Sequence, residues 1–277
     1  MIKLLSANFM RLWKDKLFWI GMVFMFGLGI VIPISQYFDA KQYFFEHHFD
    51  ETMMAFIFFI GFIAAVFCSN FIGTEYSDGT IRNKLIVGRR RTEIYLSSVI
   101  TTAAAAVCMM AAYFLSYSVL GLILLLPPKM GIGKLLLMIL IGITSMIALI
   151  SVFHMVSMLV TKRSAAIIIC VVLFLVLWMI AFSVYNRLSA PESIASYVIM
   201  SDSGEPVMQD MLNPKYLQPN ERVWYQLVQD FLPTGQHVAL TNPELMVHPV
   251  QMLVYSAVIC ILTTVLSIVF FQKKNLK

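Results

Sequence analysis

Six long apolar stretches alternate with short polar ones along the chain: residues 17–35, 53–73, 94–126, 135–160, 165–185 and 250–271. Each is long enough for a helix across a hydrocarbon core of about 30 Å, which takes roughly 20 residues. Inside them apolar residues run on without the two-residue alternation of a lipid-facing barrel strand. In hydrocarbon every backbone amide needs a partner, and a helix supplies it within its own segment. The pattern predicts an all-α polytopic membrane protein in which residues 17–277 form one transmembrane domain. The third stretch exceeds what a span requires, so its helix starts outside the bilayer, is tilted, or breaks before Pro127-Pro128. Ala103–Ala106 and Ala111-Ala112 give it a small-residue face suited to close helix packing.

The flanking segments have patterns of their own. In residues 1–16, Ile2, Leu5, Phe9, Leu12 and Trp13 recur at helical spacing, with Lys3, Arg11 and Lys14 elsewhere on the wheel. This predicts an amphipathic elbow helix in the interface plane, since Lys14-Asp15-Lys16 interrupts the apolar run; the other reading simply extends the first span. The absence of a small-residue cleavage site after the first stretch makes it a retained helix rather than a signal peptide. The loop after it, Gln36–Thr52, is aromatic (Tyr37, Phe38, Tyr43, Phe44, Phe45), as suits headgroup level. The largest polar segment, residues 186–249, is too long for a plain connector. Within it Asn220 can cap a helix whose Val223, Leu227, Val228 and Phe231 share a face, and Leu232-Pro233-Thr234-Gly235 ends that helix. A small, partly helical external cap on the outer membrane surface is expected. No internal repeat is visible.

Charge then orients the chain. Fourteen Lys and Arg lie on one side: Lys3, Arg11, Lys14, Lys16, Arg82, Lys84, Arg89, Arg90, Arg91, Lys162, Arg163, Lys273, Lys274 and Lys277. Six lie opposite: Lys41, Lys129, Lys134, Arg187, Lys215 and Arg222. Basic residues near span ends mark the cytoplasmic side, which places both termini and residues 74–93 there, with 186–249 outside. At 60% hydrophobic and 13% charged residues, the composition has about half the charge of a soluble domain. The net charge of +5 reflects the topological bias and gives no reason to invoke nucleic acid. Cys68, Cys108, Cys170 and Cys260 all fall inside predicted spans, so no disulfide framework is implied.

Catalytic signatures are missing. Gly131-Ile132-Gly133-Lys134 lacks the spacing and hydroxyl of a phosphate loop, and there is no His-Glu-x-x-His zinc pair and no Gly-x-Ser-x-Gly elbow. His47 and His48 beside Asp50 and Glu51 are adjacent loop residues, a weak basis for a metal site. Only His154 places an ionisable group well inside a span. It is either a histidine bonded to a neighbouring helix or a coupling or catalytic group, and no partner acid is readable near it. The chain thus has membrane helices without a visible source of energy: a partner supplies it, or none is used.

Residues 74–93 carry the clearest functional pattern. Glu75 and Asp78 lie about one turn apart, and Gly79 permits a tight bend. Thr80 can cap a short helix whose Ile81, Leu85 and Ile86 share a face; Gly88 ends it, and Arg89-Arg90-Arg91 follow. Such a surface helix suits a groove on a soluble partner, whereas a loop that only enforced topology would need the arginines alone.

The run Glu75…Asp78-Gly79-Thr80-Ile81…Arg90-Arg91-x-Glu93-Ile94 after the second span resembles the ABC-2 type permease family, the membrane subunits of ATP-binding-cassette exporters. The layout is similar too: elbow, six spans and a large loop before the last. So is Phe231-Leu232-Pro233-Thr234-Gly235. Many members carry a lysine shortly after the Arg-x-Glu element, where this chain has Ser97-Ser98. The resemblance implies a permease that pairs with a second permease, a copy of itself or a paralogue, and docks on a separate ATPase subunit holding ATP and magnesium. The coupling segment would be Glu75, Asp78, Gly79, Thr80, Ile81, Arg82 and Leu85. The path would run along spans 2 and 5, past Phe56, Phe59, Phe62, Phe174, Trp178 and Phe182, for a hydrophobic or amphipathic cargo (peptide, antibiotic or lipid-like). A compact chain without an attached ATPase suits a bacterial plasma membrane. The alternative is a non-transporting immunity or sensor protein that binds a peptide or toxin.

Overall fold

In the computed structural model, residues 1–44, 46–200 and 206–274 are described; Phe45 and Lys277, both used above, lie outside them. The chain opens with α1 (Ile2–Lys14), breaks at Asp15, and continues as α2 (Lys16–Tyr43). The break has a clear cause. Asp15 takes an extended conformation, and its carboxylate accepts from the backbone amides of Leu17 at 2.8 Å and Phe18 at 3.2 Å, capping α2. α1 buries Leu4, Asn8 and Leu12 and leaves Ile2, Met10 and Trp13 exposed.

The other spans are α3 (Ile57–Ser77), α5 (Arg91–Leu124), α6 (Ile132–Leu159), α7 (Arg163–Leu188) and α10 (Pro249–Lys273). With α2 they are the six helices of the described residues long and apolar enough to cross a membrane. The short α4 (Thr80–Ile86) links α3 to α5. An even number of spans puts both termini at one end of the bundle, called here the terminal end.

α2 packs along α5, α3 along α7 and α6, and α6 along α10. Small residues set the α2–α5 crossing. A Cβ on Gly29 would stand 2.6 Å from the Tyr113 carbonyl, and one on Gly21 2.7 Å from Met109 Cε. Ala105, Ala112 and Ser116 are buried on the facing helix. Ser116 also donates across the crossing to the Phe26 carbonyl at 2.8 Å. α5 is continuous from Arg91 to Leu124, so the long third stretch does not break before Pro127-Pro128.

Two loops do more than connect. α2 runs on to Tyr43, leaving a shorter first loop than residues 36–52, and α3 starts at Ile57 rather than 53. The segment between folds back into the bundle. Phe56 packs on Tyr113 with ring centroids 4.2 Å apart, and Tyr113 sits beside Gly29, near the middle of α2. Irregular backbone at that depth is tolerable because Met53, Met54 and Phe56 are buried in protein. Asp50 accepts from the amides of Lys129 at 3.1 Å and Met130 at 3.0 Å, tying this segment to the loop before α6. His48 Nδ1 bonds the Pro127 carbonyl at 2.8 Å, so two of the four residues weighed for a metal site, His48 and Asp50, hold two loops together.

The long segment after α7 begins with an antiparallel hairpin absent from the sequence expectation: β1 (Ser193–Met200) pairs with β2 (Pro206–Leu212), Tyr197 opposite Gln209. Next come α8 (Pro219–Phe231) and α9 (Pro233–Thr241). α8 is capped by Gln218, in a capping box with Glu221 and with Pro219 in the first turn; Asn220, the expected cap, is already helical. The expected apolar face is turned outward: Val223, Leu227, Val228 and Phe231 are exposed while Gln226, Gln229 and Asp230 are buried. α9 does not lie on the surface at all. Pro233 to Leu240 are all buried, and Thr234 donates to the Leu177 carbonyl at 3.0 Å. Leu177 lies eleven residues before the end of α7, so α9 reaches about 16 Å into the bundle at 1.5 Å per residue.

Candidate functional site

The terminal end of the bundle gathers α1, the last turns of α3, α4 and the start of α5. Glu75 is the hub. It sits in α3 with 1% of its surface exposed, and its Oε1 accepts from Lys84 Nζ at 2.6 Å and from Arg11. Lys84 also donates to Asn8 Oδ1 at 3.1 Å, and Asn8 Nδ2 donates to Ser97 Oγ at 3.2 Å. Arg11 further donates to the Phe71 carbonyl at 2.7 Å and lies 3.6 Å over the Phe71 ring. One buried carboxylate thus joins the elbow, the second span and the short helix. Ser97 closes the network against α5.

A buried charge is costly unless paired and bonded, and here two cations share one oxygen. The network replaces hydrogen bonds with water by bonds of fixed geometry, so α1 and α4 are held to α3 as one unit. The sequence pattern drew attention to Glu75 and Arg82; it could not show that Arg11, 64 residues away, and Lys84, 9 residues away, converge on Glu75, with Asn8 bonded behind Lys84. The exposure of a lone Glu at a span end would have been the default; its burial is the signal.

α4 divides the predicted coupling residues into two groups. Gly79 caps α4 from the left-handed region at φ 66°, with open space around it, and Thr80 is the first helical residue rather than the cap. The Gly79 amide accepts no load from a side chain; its role is conformational. Ile81 is buried, Leu85 is half-buried against the core, and Lys84 points to Glu75. Asp78, Arg82 and Asn83 are exposed. Ile86 and Val87 are 82% and 76% exposed. Gly88, at φ 83°, then redirects the chain beyond the Val87 cap. The outward face is therefore Asp78, Arg82, Asn83, Ile86 and Val87, two charges and two apolar knobs. Ile81 and Leu85 anchor the helix from behind. Val87 was not singled out by the sequence pattern, and its exposure follows from the turn at Gly88.

The arginine run is divided too. Arg90 is exposed, but Arg91 donates to the carbonyls of Phe271, Gln272 at 3.0 Å and Lys274 at 2.7 Å. It satisfies the open carbonyls at the end of α10. Lys274 does the same for α6, donating to Met158 at 2.7 Å and Leu159 at 3.0 Å. Burial there pulls its ammonium down to about 8. Cations at this end therefore serve as helix caps as well as charge markers.

The six aromatic positions expected along a path do not share one environment. Phe56 and Phe174 are fully buried, Trp178 is half-buried, and Phe59, Phe62 and Phe182 are on the outer surface. Phe174 lies over Gly61, where a Cβ would meet its ring at 2.5 Å, and packs with Phe58 and Trp178 at centroid separations of 5.7 and 5.9 Å. This cluster is the seam between α3 and α7. His154 is buried edge-on to Tyr95, with centroids 4.6 Å apart. At the opposite end, Gln236 ties α9 to its neighbours: it donates to the Asp230 carbonyl at 2.7 Å and the Met252 carbonyl at 3.0 Å, and accepts from Ser256 at 2.8 Å.

Six apolar spans, an elbow and a short surface helix held by a buried ion network define a polytopic membrane protein. The sequence profile of the ABC-2 family transporter proteins matches residues 4–184, about two thirds of the chain. The chain belongs to that family and is a membrane subunit of an ABC transporter. The match ends within α7, so the hairpin, α8, α9 and α10 lie beyond it. No curated protein matches the chain.

Proposed function

We propose that the protein is the permease of an ATP-driven exporter of a hydrophobic or amphipathic cargo, such as a peptide, an antibiotic or a lipid-like molecule. ATP and magnesium are bound by a separate ATPase subunit. Two permeases, identical or paralogous, pair across the face that carries α3 and α7. The protein resides in a bacterial plasma membrane with both termini cytoplasmic, as the lysine and arginine bias supports.

The observation that carries this reading is α4. Its outward face offers Asp78, Arg82, Ile86 and Val87 to a soluble partner, while Lys84 and Glu75 bind it rigidly to the span behind. A push on α4 is delivered to α3 and, through Arg11, to the elbow. α3 packs on α7, so the motion acts on the aromatic seam of Phe58, Phe174 and Trp178. Alternating access follows if closure of the ATPase dimer tilts α3 against α7. On the far side α9 closes the bundle between α6 and α7, and cargo leaves past it.

The test is purification of the tagged protein in mild detergent from its native host. A co-purifying ATPase subunit in stoichiometric amount is expected. The double variant Arg82→Glu/Ile86→Asp should abolish its recovery without changing permease insertion. A preparation free of ATPase would sink the proposal and favour the immunity or sensor alternative.

A further inference from the structure

α2 and α3 touch little, because α2 packs on α5 instead, and an open groove of about 280 Å³ runs between them. Leu17, Ile20, Gly21 and Phe24 form one wall; Phe59, Phe62, Ile63 and Val66 form the other, and no polar atom lines it. Gly21 leaves the α2 wall open at that position, and a Cβ there would come within 2.7 Å of Met109 Cε on α5 behind it. The groove lies within one leaflet. Leu17 to Phe24 spans about 10 Å at 1.5 Å per residue, against a half-core of about 15 Å. Its inner limit is marked by Phe24 and Phe59, whose ring centroids are 6.0 Å apart, at the depth where α3 begins.

At the terminal end each wall is continued by a polar group. Lys16 is one turn before Ile20 on the same stripe of α2, is exposed, and bonds to none of the described residues. Asn70 is one turn after Val66 on the same stripe of α3, and Arg163, also exposed, donates its Nε to Asn70 Oδ1 at 2.9 Å. Trp13 and Trp19 flank the mouth; the Trp19 indole donates to the Trp13 carbonyl at 2.9 Å, the placement of aromatic residues at headgroup level.

We infer that this groove is a binding site for an anionic phospholipid of the leaflet at the terminal end, one acyl chain lying between α2 and α3 and the phosphate between Lys16 and Arg163. That leaflet is the inner one in the proposed orientation. An all-apolar trough within one leaflet fits a length of hydrocarbon chain, and two exposed cations at its mouth, neither paired with a carboxylate among the described residues, fit a phosphate. The assignment does not depend on transport, and its test needs no ATPase.

The purified protein is placed in bilayer nanodiscs with phosphatidylglycerol carrying a photoreactive diazirine in one acyl chain, and adducts are mapped by mass spectrometry. Adducts should concentrate on residues 17–24 and 59–66 and be competed by unlabelled phosphatidylglycerol, not by phosphatidylcholine. Lys16→Ala/Arg163→Ala should abolish the headgroup preference. Val66→Trp, which fills the trough from a lipid-facing position and leaves the charge unchanged, should reduce labelling there at least fivefold. Equal competition by both lipids would overturn the proposal. So would absence of adducts from the two segments, which would mean that protein, such as a second copy of the chain, covers the groove.

Discussion

Glu75→Ala tests whether α1 and α4 are held to the bundle by one carboxylate. Removing one member of a buried ion pair costs about 3–5 kcal/mol, because it strands charge without a partner. Here the loss belongs at the lower end. Arg11 keeps its bond to the Phe71 carbonyl and Lys84 keeps Asn8, and the two side chains are 30% and 13% exposed, so water can reach them. About 3 kcal/mol is a little over two decades in an equilibrium constant at 1.36 kcal/mol per decade. The expected outcome is a roughly 100-fold loss of hydrogen-exchange protection in residues 2–14 and 80–86, measured in nanodiscs. Amides of α6, which does not touch the network, serve as the internal reference and should keep their protection. Glu75→Gln retains a neutral acceptor and should fall between the two. Protection of α1 within threefold of the parent protein, with α6 intact, would refute the idea that Glu75 holds the elbow.

The remaining predictions address the two ends of the bundle. A Cβ on Gly235 would stand 2.4 Å from the Gln229 carbonyl, so Gly235→Ala must open the α8–α9 corner and should cost about 1–3 kcal/mol, seen as a lower unfolding temperature. Gly142→Ala is the control: its Cβ would meet Leu240 at an ordinary 3.6 Å, and stability should be nearly unchanged. Arg91→Gln leaves the carbonyls closing α10 without a cation and should lower stability by about 1 kcal/mol, with fraying confined to the last turn of α10 in hydrogen exchange. For Lys274, whose burial lowers its pKa to about 8, pH-dependent amine acetylation read by mass spectrometry should show a midpoint near pH 8. The unfolded chain then holds the extra proton between about 8 and the ordinary lysine value near 10.4, so this group's contribution to stability rises with pH across that window. A midpoint above 10 would contradict the buried placement.

Length and hydropathy alone determined the six spans, because a bilayer imposes one strong rule: about 20 apolar residues with every backbone group bonded internally. The same patterning placed a break at Asp15 and a short helix after Gly79, since both depend on nearest neighbours. Family membership was legible as well, from the Glu75–Ile94 run and the layout around it. Tertiary structure decided everything that joins distant residues. Glu75 could have been one more exposed acid; Arg11 and Lys84, the latter also bonded to Asn8, make it a buried hub, and no local pattern encodes a meeting with residues as distant as Arg11 and Asn8. The residues after α7 depend on packing for a related reason. The stripe of Val223, Leu227, Val228 and Phe231 is exposed, and the polar side of α8 turns inward to bond its neighbours: Gln226 donates to the Leu245 carbonyl at 3.3 Å and Asp230 meets His248 at 3.0 Å. α9, polar enough to read as a surface segment, is drawn into the bundle because Gln236 and Thr234 find partners there. Sequence sets which segments enter the membrane; packing sets which side of each faces its neighbours, and thereby where the groove and the outward face of α4 lie.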